Sequence, residues 1–210
     1  MNSAFVTGGI AIVLFVRIII VWVFRCIRRR TETNSPPLKT LVILGSGGHT
    51  TEMLQLTKQL NRSFYAPVEY CRATTDTTSV MRLPDRLAVV HTIPRAREVG
   101  QSYVTSLFST IYAQWHAMFL IAKIRPGLIL CNGPGTVLPL CVAALFWRVV
   151  GWCPGQIVFV ESYCRVQTLS LTGKLLYFWA DLFVVHWEEL HRQYPRSKLV
   201  DSFVRRQKDE

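Results

Sequence analysis

Two short runs of this sequence combine residue types that can handle phosphate. Gly45-Ser46-Gly47-Gly48-His49-Thr50 stands between the apolar run Thr40–Leu44 and a helical stretch beginning near Thr51. Glycines let backbone N–H groups approach a ligand closely, and a helix start adds unpaired N–H groups and the positive end of the dipole. The matching ligand is a phosphate or diphosphate. The packing alternative is a tight strand-to-helix turn capped by Thr50 or Thr51. The run is not the dinucleotide fingerprint, because threonine occupies position 50 where G-x-G-x-x-G needs a glycine. Nor is it a Walker A loop, since no Gly-Lys-Ser/Thr follows. His49, at the mouth of the loop, has a side chain suited to general-base work near neutral pH; its plainer reading is a polar turn residue.

Cys131-Asn132-Gly133-Pro134-Gly135-Thr136 repeats the device after a second strand candidate. Asn132, Gly133 and Gly135 therefore join Gly45, Ser46, Gly47, Gly48 and Thr50 as the candidate phosphate-binding set, with packing again the alternative. Glu161 follows a third apolar run, where a carboxylate could bind a sugar hydroxyl or pair with Arg165. Arg95 and Arg97 follow another strand candidate and could meet anionic headgroups or a diphosphate. The six cysteines are scattered without a C-x-x-C pair, and His116, His186 and His191 lack ligand spacing. Neither a metal ion nor a cofactor is expected, and no disulfide framework.

Positioning these loops requires alternating strands and helices. The strand candidates are Thr40–Leu44, Val68–Ala73, Leu87–His91, Leu128–Cys131, Ile157–Val160 and Leu182–His186. Several are continuous apolar runs, as parallel strands covered on both faces should be. Helix candidates lie between them at Thr51–Leu60, Gln101–Ile124, Thr136–Val149, Lys174–Ala180 and Glu188–Tyr194. The pattern predicts an α/β fold with one Rossmann-like, doubly wound parallel sheet, whose ligands bind beyond the carboxyl ends of the strands. In the long helix, Leu107, Ile111, Trp115 and Met118 fall at helical spacing and read first as a core-facing stripe. A bilayer-interface contact is the alternative for Trp115 and for Trp147, Arg148 and Trp152. The segment 76–85 reads as a loop.

Half of the 210 residues are hydrophobic, which excludes a disordered chain, and the length leaves room for one domain. Ala4–Phe24 is an apolar run broken only by Arg17, long enough for a membrane span; its flanks lack the signature of a cleaved signal. Arg25, Arg28, Arg29 and Arg30 follow directly, which places the bulk of the chain in the cytosol after a short lumenal end at 1–3. Residues 25–37 form a basic, proline-ended linker, 38–196 the domain and 197–210 a tail. Five of the 24 basic residues and none of the 13 acids lie in residues 1–30, so the rest keeps 19 against 13. That balance suits an anionic membrane or phosphorylated substrate; no nucleic-acid recognition motif accompanies it.

The ordered set LVILGSGGHTTEMLQL (41–56), IPRAREVGQS (93–102), LCNGPGT (130–136) and VESYCRVQTLSLTGKLL (160–176), behind an N-terminal span, resembles one family. The family so resembled is the membrane-anchoring subunit of the UDP-N-acetylglucosamine transferase of the dolichol-linked oligosaccharide pathway. The resemblance implies the N-terminal half of a split GT-B glycosyltransferase. A separate soluble subunit, the GT-B C-terminal half, binds UDP-GlcNAc and is regarded as catalytic. The pair adds the second GlcNAc to GlcNAc-diphosphodolichol at the cytosolic face of the endoplasmic reticulum membrane, or also the nuclear envelope.

On this basis the loop glycines and the N–H groups near Thr50 would hold the acceptor diphosphate, and His49 would take the proton from its 4-hydroxyl. Leu199, Val200, Phe203 and Val204 would be candidate contacts with the soluble partner. Two other functions are kept open. One is a scaffold with no residue in the chemistry; the other is a self-sufficient membrane-bound Rossmann enzyme.

Overall fold

The computed structural model describes residues 13, 15–19, 37–96 and 103–200. Seven parallel strands form one sheet in the order β3-β2-β1-β4-β5-β6-β7. They are β1 (Thr40–Ile43), β2 (Val68–Ala73), β3 (Val90–Ile93), β4 (Leu128–Asn132), β5 (Gln156–Val160), β6 (Leu182–Val185) and β7 (Lys198–Leu199). The helices are α1 (Gly48–Lys58), α2 (Tyr103–Ile124), α3 (Val137–Val150), α4 (Leu171–Leu176) and α5 (Glu188–Gln193). The direction of strand addition reverses at β1, so α1 covers one face while α2 to α5 cover the other, as right-handed crossovers demand. The Rossmann-like fold expected from the sequence is the one observed.

Alternation along the central strands divides the core in two. Leu41, Ile43, Ile129 and Cys131 face the α2–α5 layer with Ala117, Ile121 and Leu140. Val42, Leu44 and Leu130 face α1 through Met53 and Leu54. Burial on both faces explains why β1 and β4 read as unbroken apolar runs. The switch point lies between β1 and β4, and both glycine-rich loops leave from the carboxyl ends of these neighbouring strands.

Several boundaries differ from expectation. β3 begins at Val90 rather than Leu87, because Leu87, 92% exposed, sits in a turn whose N–H bonds Asp85. α4 begins at Leu171 rather than Lys174: the Ser170 hydroxyl accepts from the Gly173 N–H at 2.9 Å and caps it. α3 stops at Gly151, whose φ of 80° terminates it, with the Trp152 N–H returning to the Trp147 carbonyl. β7 lies in the segment read as tail, pairing Val184 with Lys198 and Val185 with Leu199.

Of the core-facing stripe expected on α2, Met118 packs against the core, Ile111 and Trp115 are corrected to the outer face, and the Leu107 side chain lies outside the described residues. Ala113, Ala117, Ile121 and Ile124 are the buried face, whereas Phe108, Ile111, Tyr112, Trp115 and Phe119 are exposed. Small residues let α2 pack closely on α3 and against β3, which turns the aromatic side outward. The interfacial reading of Arg148 is also corrected: it is buried and pairs with Asp181 at 2.6 Å. The Trp147 and Trp152 indoles donate to Met118 and Ala122 carbonyls, stapling α3 and its end to α2. Of the expected span, residues 13 and 15–19 are helical, and the Arg17 guanidinium donates to the Val150 carbonyl at the end of α3. Among the described residues no helix is long and apolar enough to cross a membrane. Arg25, Arg28, Arg29, Arg30 and Arg97 lie outside the described residues, as do Phe203 and Val204. Cys71, Cys131, Cys141, Cys153 and Cys164 are free thiols; burial pushes Cys71 up to about 12.

Candidate functional site

The first loop is built by one conformation only glycine adopts readily. Gly47 has φ 65° and ψ −124°, which turns the chain so that α1 starts at Gly48. The threonine cap of the packing alternative is absent: no side chain caps α1. Thr50 is buried, and its hydroxyl donates to the Gly45 carbonyl and lies 2.6 Å from the Ser79 hydroxyl. The first-turn N–H groups of α1 are thus left for another partner.

Gly45 and Gly133 serve a different purpose, the close approach of the two loops. A Cβ on Gly45 would stand 2.7 Å from Pro134 Cγ and 2.9 Å from His49 Cβ, and one on Gly133 would stand 3.0 Å from His49 Cε1. The imidazole therefore rests directly over the second loop. Gly48 and Gly135 have open space where a Cβ would go. Asn132 is 1% exposed; its amide donates to the His49 carbonyl at 3.0 Å and to Glu52 at 3.2 Å. Both acceptors fix the amide's orientation, and the buried Oδ1 has no partner.

Two cavities open here, and His49 lines both. One, of about 430 Å³, is lined by Gly48, His49, Glu52, Gly133, Glu161, Ser162, Cys164, Arg165 and Ser170. The other, of about 350 Å³, is lined by residues including Gly45, Ser46, Asp76, Thr78, Arg95, Pro134, Gly135 and Thr136. Arg95 is thus beside both glycine-rich loops. Arg165 lines the first cavity, but the Glu161 carboxylate does not pair with it. Glu161 is 1% exposed; Oε1 accepts from the Ser162 N–H at 3.0 Å and Oε2 from the Ser170 N–H at 2.9 Å and hydroxyl at 3.1 Å. The Gly173 backbone presses on it, since a Cβ there would meet Oε2 at 2.3 Å.

The sequence reading missed four contributors. Asp76, Ser79 and Arg82 come from the segment read only as a loop. The Ser79 hydroxyl reaches the Gly45 carbonyl at 3.0 Å, and Arg82 donates to the Gly47 carbonyl at 3.1 Å, so this segment props the first loop. Burial raises the Asp76 carboxyl, but hydrogen bonds from Ser79 and Thr78 outweigh it and leave the pKa below the ordinary value. Glu52, one turn into α1, is the fourth: Oε1 accepts from the Ser162 hydroxyl at 3.0 Å and the Tyr163 N–H at 3.2 Å, and Oε2 lies 3.7 Å from His49 Nδ1. His186, set aside for want of ligand spacing, also borders the site. Burial holds its pKa below the usual histidine value, against the opposing pull of Glu52 and Glu161.

Trp115 lies apart from these loops, on the outer face of α2. Leu199, in the edge strand β7, and Val200, just after it, are half-buried. Among the described residues no cluster of His, Cys, Asp and Glu could hold a metal ion.

The family described as "Oligosaccharide biosynthesis protein Alg14 like" matches residues 40–203. The rat "UDP-N-acetylglucosamine transferase subunit ALG14" is 41% identical, over 94% of this chain and 95% of the relative. The human protein of that name is 39% identical with the same coverage, and that of Yarrowia lipolytica is 37% identical over 80% of this chain and 82% of its own. Among solved structures, the crystal structure of Acinetobacter baumannii MurG matches with a TM-score of 0.57 at 18% identity, covering 73% of this chain and 43% of MurG. A UDP-N-acetylglucosamine 2-epimerase from Listeria monocytogenes matches at 0.54 and 12% identity, over 77% of this chain and 42% of its own. These two likenesses concern the fold, of which the chain spans less than half of either enzyme.

Proposed function

The chain belongs to the Alg14-like family of oligosaccharide biosynthesis proteins, and from that premise we propose that it is the membrane-anchoring, acceptor-presenting subunit of a UDP-GlcNAc transferase. A soluble partner would bind the donor and complete the cleft. The acceptor would be GlcNAc-diphosphodolichol at the cytosolic face of the endoplasmic reticulum, and the product would carry the second GlcNAc.

The observation that carries this reading is that His49 lines both cavities at the meeting of the two glycine-rich loops. On one side Ser46, Gly135 and Arg95 stand with Asp76, and the arginine and loop backbone offer a setting for a diphosphate. On the other, Gly48 at the uncapped start of α1 and Arg165 stand with the Glu52 and Glu161 carboxylates and Ser162, a setting for a sugar next to its phosphate. An acceptor lying across both would bring its 4-hydroxyl to the imidazole. His49 takes the hydroxyl proton as the oxygen forms a bond to the donor's anomeric carbon. The bond from that carbon to the UDP oxygen breaks, its electron pair leaving with UDP, and configuration inverts. Holding both substrates in one cleft supplies much of the acceleration, and a positioned base contributes a factor of about 10²–10⁴.

The membrane role draws on the helix layer opposite α1. No acidic residue occurs in α2, α3 or α4. Their outward residues include Phe108, Trp115 (64% exposed), Phe119, Phe146, Leu171 and Leu175. Such a surface suits the bilayer interface, where Trp and Tyr are at home. The contact of Arg17 with the end of α3 joins it to the expected anchor at 4–24. Arg25, Arg28, Arg29 and Arg30 would lie against the anionic headgroups.

The test is transfer by the reconstituted pair carrying His49→Ala. A loss of about 10²-fold or more with assembly intact is expected; near-normal turnover would leave the chain a scaffold.

A further inference from the structure

We propose that Glu52 is the positioning residue of the site: it takes the Nδ1–H of His49, so that the unprotonated Nε2 faces the acceptor hydroxyl. The inference rests on the reading of His49 as base.

His49 Nδ1 is buried and has no hydrogen-bond partner. The nearby carboxylate oxygen is Glu52 Oε2, at 3.7 Å. That is too long for a hydrogen bond, but within a small rotation of the roughly 2.8 Å of a charge-assisted one. Catalytic pairs commonly stand loose before substrate arrives and close in the complex. The Cε1 corner of the ring lies over Gly133: a Cβ there would come 3.0 Å from Cε1, 3.6 Å from Nε2 and 3.7 Å from Nδ1. Nδ1 is the nitrogen that stands 3.7 Å from Glu52, which leaves Nε2 for a substrate hydroxyl, the division of labour a general base needs.

Glu52 is also held where it stands. Its Oε1 accepts from the Ser162 hydroxyl and the Tyr163 N–H, and its Oε2 from the Asn132 amide, which at the same time donates to the His49 carbonyl. Every group around it is a donor, so the position calls for an acceptor with no proton of its own. A glutamine would turn an NH₂ either toward Ser162 and Tyr163 or toward Asn132 and His49. The carboxylate thereby ties the first glycine loop to the ends of β4 and β5, and presents the remaining capacity of Oε2 to the imidazole. As His49 gains the acceptor's proton, Glu52 faces the imidazolium and stabilises it. No proton passes to Glu52.

The experiment is a double-mutant cycle on the full-length chain with its soluble partner, reconstituted in vesicles. UDP-GlcNAc and a polyprenyl-diphosphate-GlcNAc serve as substrates. Wild type, His49→Ala, Glu52→Gln and the double variant are compared for kcat, for KM of each substrate, and for partner capture. Glu52→Gln is expected to lower kcat about 10²-fold, with each KM within about 3-fold. In the His49→Ala background it should cost less than about 3-fold more, because residues acting as one unit are not additive. Glu52→Asp, which keeps the charge on a shorter arm, should recover about 10-fold of the loss. A Glu52→Gln penalty of equal size in both backgrounds, or one confined to KM, would mean a loop tie only and overturn the proposal.

Should Glu52→Gln fail to capture the partner, Ser162→Ala carries the same cycle, since it removes one of the two donors to Oε1 and leaves Asn132 and Tyr163 in place. Its few-fold kcat loss should vanish without His49; a loss that persists overturns the proposal. If His49→Ala alone keeps full turnover, the base reading fails and this inference with it. If His49→Ala is inactive and the penalties multiply, only the role of Glu52 is wrong.

Discussion

Replacing Gly133 by alanine separates chemistry from folding at this site. The new Cβ would stand 3.0 Å from His49 Cε1, 3.6 Å from Nε2 and 3.7 Å from Nδ1, all in the imidazole. Non-bonded carbons settle at about 3.5–4.0 Å, so the ring must withdraw by roughly 0.5–1 Å. It can do so by rotating, because the side chain is 35% exposed, and overpacking against so yielding a neighbour should destabilise the protein by less than about 1 kcal/mol. The cost appears in the reaction, where a 1 Å misplacement of a reacting group is worth about 10²-fold. We expect kcat to fall about 10- to 100-fold in the reconstituted pair, with the unfolding midpoint and partner capture near wild type. Full turnover would refute the placement of the imidazole over Gly133 as the working geometry. A large loss of stability would instead show that Gly133 serves packing.

Gly47 and Gly48 should behave oppositely although they are adjacent. Gly47→Ala forces an L side chain into φ 65°, ψ −124° and should cost about 1–3 kcal/mol in urea unfolding, whereas Gly48→Ala has open space and should change stability by less than about 1 kcal/mol. His186, whose pKa burial holds below the ordinary value, binds its proton more readily in the unfolded chain. Stability should therefore be fully present above the ordinary histidine value near 6.5 and decline as pH falls through the window below it, and His186→Asn should flatten that decline in urea midpoints measured from pH 5 to 8. Trp115→Asp combined with Phe119→Asp alters exposed positions, so unfolding and partner capture should stay near wild type. The same pair should reduce transfer to an acceptor embedded in vesicles by several-fold, while a short-chain acceptor in solution is used normally; equal transfer to both would place this face away from the bilayer.

Local pattern carried the parts of the fold that depend on local pattern. β2 has the expected bounds and β1, β4, β5 and β6 differ by a residue at one end; β1 and β4, buried on both faces, show as apolar runs. The two glycine loops were legible for the same reason: glycine at a strand end has few other uses. Side-chain partners were not. Glu52 reads as one polar residue on an amphipathic helix until the sheet brings positions 132 and 162–163 beside it. Thr50 has the right type for a cap, but Gly47 starts the helix three residues earlier than a Thr50 cap would and leaves the hydroxyl pointing back into the loop. On α2, apolar residues cover so much of the circumference that spacing alone could not tell the alanine-lined buried face from the aromatic outer one.

In the proposed function, this chain presents a lipid-diphosphate sugar to a donor site on a second protein. The most direct test of that role is GlcNAc transfer from UDP-GlcNAc to a polyprenyl-diphosphate-GlcNAc, measured with the purified full-length chain alone and again with whatever soluble protein co-purifies with it from membranes. The account predicts no transfer by either protein alone and inverting transfer by the pair, abolished by a soluble analogue of the acceptor diphosphate in excess. Robust transfer by this chain without a partner would contradict it.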